Sequence, residues 1–238
     1  MDLFNDGYIK FDYDGKTYAI EMLNDPMPSN PRVDAVNIVS LMCWHRRYCL
    51  GDHHDYKTPH DFLDALLTRY AQLITEEQKE EMSISEKIAE LQKNSDIVMI
   101  PLFLYDHSGL ALHLGVPGVG CDSFDTSMIG WAVLEKKSFL NIGLAEAEWT
   151  REKAEEFIRD EVDVYAQYLA GDVHGYTLYD LEDPNDPQEV DSCWGFFGTD
   201  IFTNGIADNI PGLTEAIKAD KYTTGTVQTV TYTTKKFA

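Results

Sequence analysis

The chain has no lysine and no arginine between Asp160 and Glu215, a stretch of 56 residues that nevertheless holds 13 carboxylates. Self-repulsion of that kind works against a compact state, so it calls for more than a solubility role. Disordered acidic tails are poor in aromatics. This stretch carries Tyr165, Tyr168, Tyr176, Tyr179, Trp194, Phe196, Phe197 and Phe202, which predicts a folded surface of one sign shaped for basic partners.

Other absences narrow the function further. No CxxC pair links the four cysteines, Cys43, Cys49, Cys121 and Cys193, so they read as reduced thiols rather than a disulfide or zinc framework. The start MDLFNDGYIKF has neither the basic nor the apolar region of a signal peptide, and the best apolar run, Ile97 to Tyr105, is strand-sized. The expectation is a soluble protein of the cytoplasm, without a membrane partner. With 41 acids against 19 bases, a net charge of −22, direct binding to nucleic acid is disfavoured too. The glycine-rich GVPGVG, residues 115–120, lacks the Gly-Lys-Ser/Thr ending of a phosphate loop, and no nucleotide, flavin, zinc or kinase signature is present. No cofactor and no metal are expected.

What is present points to an α+β fold, with antiparallel sheet mainly in the second half and an N-terminal hairpin. GYIKFDYDGKTYAIEML, residues 7–23, alternates on either side of Asp14-Gly15, a dipeptide suited to a tight hairpin turn. Thr58-Pro59 opens a helix with apolar positions at Phe62, Leu63, Leu66, Leu67 and Tyr70. A second helix is expected over roughly 75–93, laid on the surface with a solvated face. Strands follow at 96–114 and from Ile129, then a helix from about 148 to 170 capped by Thr150 and ended by Gly171. HGYTLYDLE and EVDSCWGFF flank the turn DPNDPQ, short helices break at Gly205 and Pro211-Gly212, and a threonine-rich strand comes last. The change of texture near residue 95 suggests a division into 1–94, hairpin plus helices, and 95–238, an acidic α+β region, or else one continuous domain.

Two clusters could carry chemistry. In Asp52-His53-His54-Asp55 the adjacent histidines of an extended segment point to opposite faces, so a polar turn is the better reading than a metal site. In Tyr105-Asp106-His107-Ser108-Gly109, sequence neighbours do not make a triad. His107 with Cys121 or Asp106 defines the enzymatic alternative, a small hydrolase or transferase, since a histidine can generate a thiolate. The acidic candidates are Glu152, Glu155, Glu156, Asp160 and Asp163 on the long helix, followed by Asp180, Glu182, Asp183, Asp186, Glu189 and Asp191. The helical set and Glu161 span about 16–18 Å. One DNA strand carries about five phosphates over that length.

WHRRYCLGDHHDY (44–56), YDHSG (105–109), Gly130-Trp131, VDVYAQYLAGDVHGY (162–176) and DSCWGFFG (191–198) together resemble a family of proteins encoded by bacteriophages and integrating elements, mostly of Gram-positive bacteria. Where that family usually has Cys-Pro-Trp-Asp-Ser before Gly-Trp, this chain has Cys121-Asp122-Ser123-Phe124-Asp125-Thr126, with Phe124 in place of the tryptophan and one extra residue. The resemblance implies an origin rather than a mechanism. By analogy with small acidic proteins of mobile elements, the leading expectation is an inhibitor of anti-CRISPR or antirestriction type. It would be a non-enzymatic DNA mimic whose partner is a basic host protein or nucleoprotein complex, such as a nuclease or CRISPR effector. A third reading is an accessory protein that binds a replication or transcription factor.

Overall fold

The computed structural model describes residues 7–118, 124–231 and 234–237, and the chain is α+β as its patterning predicts. It divides into two compact units, one made of Met1–Ser29 with Gly171–Ala238 and the other of Asn30–Ala170. The expected boundary at 94/95 falls inside the second of these.

The discontinuous unit is built on a six-stranded antiparallel sheet. Its strands are β1 (Gly7–Tyr13), β2 (Lys16–Asn24), β7 (Val173–Asp180), β8 (Gln188–Phe197), β9 (Tyr222–Thr231) and β10 (Thr234–Phe237), in the order β10-β9-β1-β2-β7-β8. The hairpin β1–β2 closes on Asp14 and Gly15 at φ 49° and 76°, the left-handed pair a tight turn requires. Two short helices, α7 (Ile206–Asn209) and α8 (Leu213–Lys218), each follow a left-handed glycine, Gly205 or Gly212. They bury Ile206, Ile210 and Leu213 against Ile9, Phe11, Ile20, Met22 and Tyr176 on one face of the sheet. Each fully buried aliphatic side chain contributes about 1.5–3 kcal/mol.

The continuous unit is a four-stranded antiparallel sheet covered on both faces. Its strands are β3 (Ser40–Cys43), β4 (Ile97–Asp106), β5 (Leu110–Leu114) and β6 (Thr126–Glu135), ordered β3-β6-β4-β5. The long helix α6 (Arg151–Ala170) packs Ala154, Ile158, Val162 and Tyr165 onto Val98, Leu102, Leu104 and Leu134. On the opposite face, α2 (Pro59–Tyr70) and α4 (Ile84–Leu91) bury Phe62, Leu63, Leu66, Leu67 and Leu91 against Ile97, Met99, Trp131 and Val133. Burial on both faces explains why β4 reads as a nearly unbroken apolar run instead of an alternation. The remaining helices among the described residues are short: α1 (Pro31–Asp34), α3 (Glu76–Glu81) and α5 (Lys136–Asn141), with a 3₁₀ turn at Glu146–Glu148. Gly130 pairs with Cys43, and a Cβ there would sit 1.8 Å from the Met42 carbonyl oxygen. The Gly-Trp dipeptide thus lets β3 lie close against β6 and sends Trp131 into the core.

The helix expected over 75–93 is two helices. Ser83 caps α4 through a reciprocal pair with Glu86, its hydroxyl accepting from the Glu86 amide, and this forces Met82 into an extended conformation. Neither helix is simply solvated, because Lys79 and Lys87 are buried, at 3% and 1% exposure. The Lys87 ammonium bonds Asp64 of α2, while Lys79 donates to Thr68 at 2.7 Å and to Glu76 at 2.6 Å. The strand expected from Ile129 ends at Glu135, and Lys136 and Lys137 begin α5.

Candidate functional site

The hairpin β7–β8 concentrates unpaired negative charge. Its turn is organised by aspartates that bond their own backbone: the Asn185 amide donates to Asp183 Oδ1 at 2.9 Å, and the Glu182 amide to Asp180 Oδ1 at 2.9 Å. Glu182, Asp183, Asp186, Glu189 and Asp191 are all exposed, and none forms an ion pair with a lysine or arginine among the described residues. Asp191 accepts a hydrogen bond from the Tyr176 hydroxyl at 2.7 Å. Burial, reinforced by that carboxylate, pushes the hydroxyl pKa upward. β8 is an outer strand of its sheet, and Trp194 fills the space that the absent side chain of Gly175 leaves on β7.

Asp180 differs from its neighbours. Its place near the end of HGYTLYDLE, just before the turn DPNDPQ, suggests an exposed side chain, but Asp180 is only 9% exposed and accepts from the Lys16 ammonium at 2.6 Å. That hydrogen bond holds its carboxyl below the usual range. Asp180 therefore ties β7 to β2 and is not free to meet a partner.

The carboxylates expected on the long helix belong to the other unit, and two of the five are compensated. Glu155 pairs with Arg151 at 2.9 Å and Glu156 with Lys153 at 2.8 Å, while Glu152, Asp160 and Asp163 are exposed. Glu161 turns inward. Its Oε2 takes Arg32 at 2.7 Å and its Oε1 accepts the Ile38 and Val39 amides. The same buried guanidinium grips both oxygens of Asp52, at 2.8 and 2.9 Å. This accounts for the DHHD segment. Asp52 is a structural anchor, His53 is exposed, and His54 lies against Trp44 with Nε2 3.1 Å from the Cys43 carbonyl. Burial, with Asp52 adding to it, pushes the Cys43 thiol up to about 12. Among the described residues no three histidine, cysteine or carboxylate groups gather at metal-binding geometry.

The enzymatic candidates are separated by their partners. His107 Nδ1 lies 2.9 Å from Asp125 on a ring that is 62% exposed. Asp106 instead receives the Tyr48 hydroxyl at 3.3 Å and sits 2.8 Å from an Arg47 guanidinium nitrogen, an ion pair lacking hydrogen-bond alignment. Cys121 lies outside the described residues. Asp106 and Asp125, the partner of His107, thus line one cleft, and His107 and Asp106 each bond elsewhere. That cleft, about 460 Å³, is lined by Trp44, His45, Arg46, Arg47, Asp106 and residues 124–128. Its basic side, the Trp44–Arg47 loop, was not among the candidates drawn from sequence. Its signal there was the adjacent pair Arg46-Arg47 in an acidic chain, which gains meaning only once β4 and β6 bring Asp106 and Asp125 alongside.

Comparison of the chain with protein-family models, curated proteins and solved structures found no match. No helix among the described residues is long and apolar enough to cross a membrane.

Proposed function

We propose that this protein is an acidic inhibitor of the kind mobile elements encode, which occupies the cationic nucleic-acid channel of a host nuclease or CRISPR effector. The observation that carries the reading is the β7–β8 hairpin, whose five exposed carboxylates have no basic partner among the described residues. Along an extended strand, alternate residues recur about every 7 Å, roughly two phosphate steps of a DNA strand. Glu189 and Asp191 stand two residues apart on β8, and with Glu182, Asp183 and Asp186 of the turn they would offer a cationic channel the charge of a backbone without a cleavable bond. Opposite charge also speeds the encounter.

The test is DNA cleavage by a bacterial restriction enzyme and by a CRISPR effector, each with increasing amounts of the protein. The variant replaces Glu182, Asp183, Asp186 and Glu189 with lysine and leaves Asp180 alone. The parent should inhibit at least one enzyme, and the variant should melt with the parent yet inhibit neither. Inhibition should fade as screening shortens from about 10 Å at 0.1 M salt to about 3 Å at 1 M. Equal inhibition by parent and variant, or none by the parent, would refute the proposal.

A further inference from the structure

The cleft beside the Trp44–Arg47 loop leads in a different direction, because it holds a basic group that no carboxylate claims among the described residues. Its two carboxylates are already taken: Asp106 by Arg47 and Tyr48, and Asp125 by His107. Arg46 is exposed, lines the cleft, and makes no hydrogen bond or ion pair among the described residues. In a chain of net charge −22, an arginine without a carboxylate is a local exception to the prevailing field. His45 lines the same space. Its Nδ1 accepts from the Arg47 and Tyr48 amides, both at 3.3 Å, which leaves the proton on Nε2 as a donor. Burial, aided by Arg47, holds the His45 pKa below its ordinary value, so the ring is a neutral donor near pH 7.

We propose that this cleft binds a phosphoryl group through Arg46. The guanidinium fork matches two oxygens of a tetrahedral oxyanion, and His45 and Ser127, which line the same cleft, carry further donors. A volume of about 460 Å³ accommodates more than a bare ion. It lies within the roughly 300–1,000 Å³ typical of small-ligand sites. Phe124, 93% exposed at the rim, offers an apolar face to the organic part of a phosphate monoester. A second space of about 470 Å³ shares Trp44, His45 and Arg46, so the same three residues face ligand-sized room on two sides.

Calorimetric titration with AMP, inorganic phosphate and adenosine tests this. AMP should bind and adenosine should not. Phosphate binding as tightly as AMP identifies the free ion as the ligand, and AMP binding more tightly identifies a monoester. Arg46→Ala should weaken AMP by at least about tenfold with an unchanged melting temperature, the loss expected for a charge-assisted contact. Ser127→Ala should weaken it less, and Arg159→Ala, on the exposed face of α6, should not affect it. The proposal is overturned if neither AMP nor phosphate binds, if adenosine binds as tightly as AMP, or if Arg46→Ala binds AMP like the parent.

Discussion

In residues 30–170, 24 acidic residues face 13 basic ones, and most of those bases are joined to carboxylates: Arg32, Arg47, Arg69, Lys79, Lys87, Lys93, Lys136, Lys137, Arg151 and Lys153. In residues 1–29 and 171–238, 17 acidic residues face 6 basic ones, and the described lysines there supply a single ion pair, Lys16 with Asp180. Both units carry a net charge of −11, but one uses many of its carboxylates as fastenings and the other leaves most of them without a basic partner among the described residues. Net charge alone therefore does not reveal what an acidic residue is for. The partner decides that, and in the fastened unit it lies anywhere from two residues away, as for Lys137 and Glu135, to 129, as for Arg32 and Glu161.

Removing the central fastening should show the contrast most strongly. Arg32→Leu strands Asp52 and Glu161 beside a buried aliphatic group, and a broken buried pair of this kind costs about 3–5 kcal/mol. Denaturant unfolding should show that loss, with a much smaller one for Lys16→Ala. Equal losses would erase the distinction between the units.

Acid should separate them next. Burial works to raise the Glu135 pKa, yet hydrogen bonds from Tyr70, Arg69 and Lys137 outweigh it and leave the carboxyl below its ordinary 4.5. A depressed folded-state value means that the stabilisation is complete above 4.5 and is lost as the pH falls through the folded value. The exposed carboxylates of β7–β8 form no ion pair with a lysine or arginine among the described residues, so acid breaks no such fastening there. Hydrogen exchange, corrected for intrinsic rates, should show α2 and β6 losing protection on acidification before β7 and β8 do. Tyr70→Phe should flatten the loss in α2.

Salt should give the smallest effect. Raising it from 0.1 to 1 M should increase protection of the β7 and β8 amides by a few tenths of a kcal/mol and leave α2 unchanged. A uniform response along the chain would mean that the hairpin charges do not strain their unit.

What the sequence revealed follows from range. Asp14-Gly15, Thr58-Pro59, Thr150 and Gly171 act on their immediate neighbours, so the first hairpin, α2 and both ends of α6 were legible. The Ser83–Glu86 cap is equally local, but it was hidden within a continuous run of helix-forming residues. Asp180 and Glu161 looked like surface acids because Lys16 and Arg32, which claim them, lie 164 and 129 residues away. The cleft was illegible for the same reason: Arg46, Asp106 and Asp125 meet only through the order β3-β6-β4.

The division of the chain also sets a timetable for synthesis. β2 pairs with β7, Asn24 opposite His174, yet the whole of residues 30–170 is translated between them. At about 5–20 residues per second, the ribosome takes on the order of ten seconds to cross that interval. During that time the first hairpin waits with one flank of β2 open, while the intervening unit already has every residue it needs to fold. The nascent chain should therefore complete its middle before its beginning, and the β7–β8 hairpin, with its exposed acids, is added only after that wait.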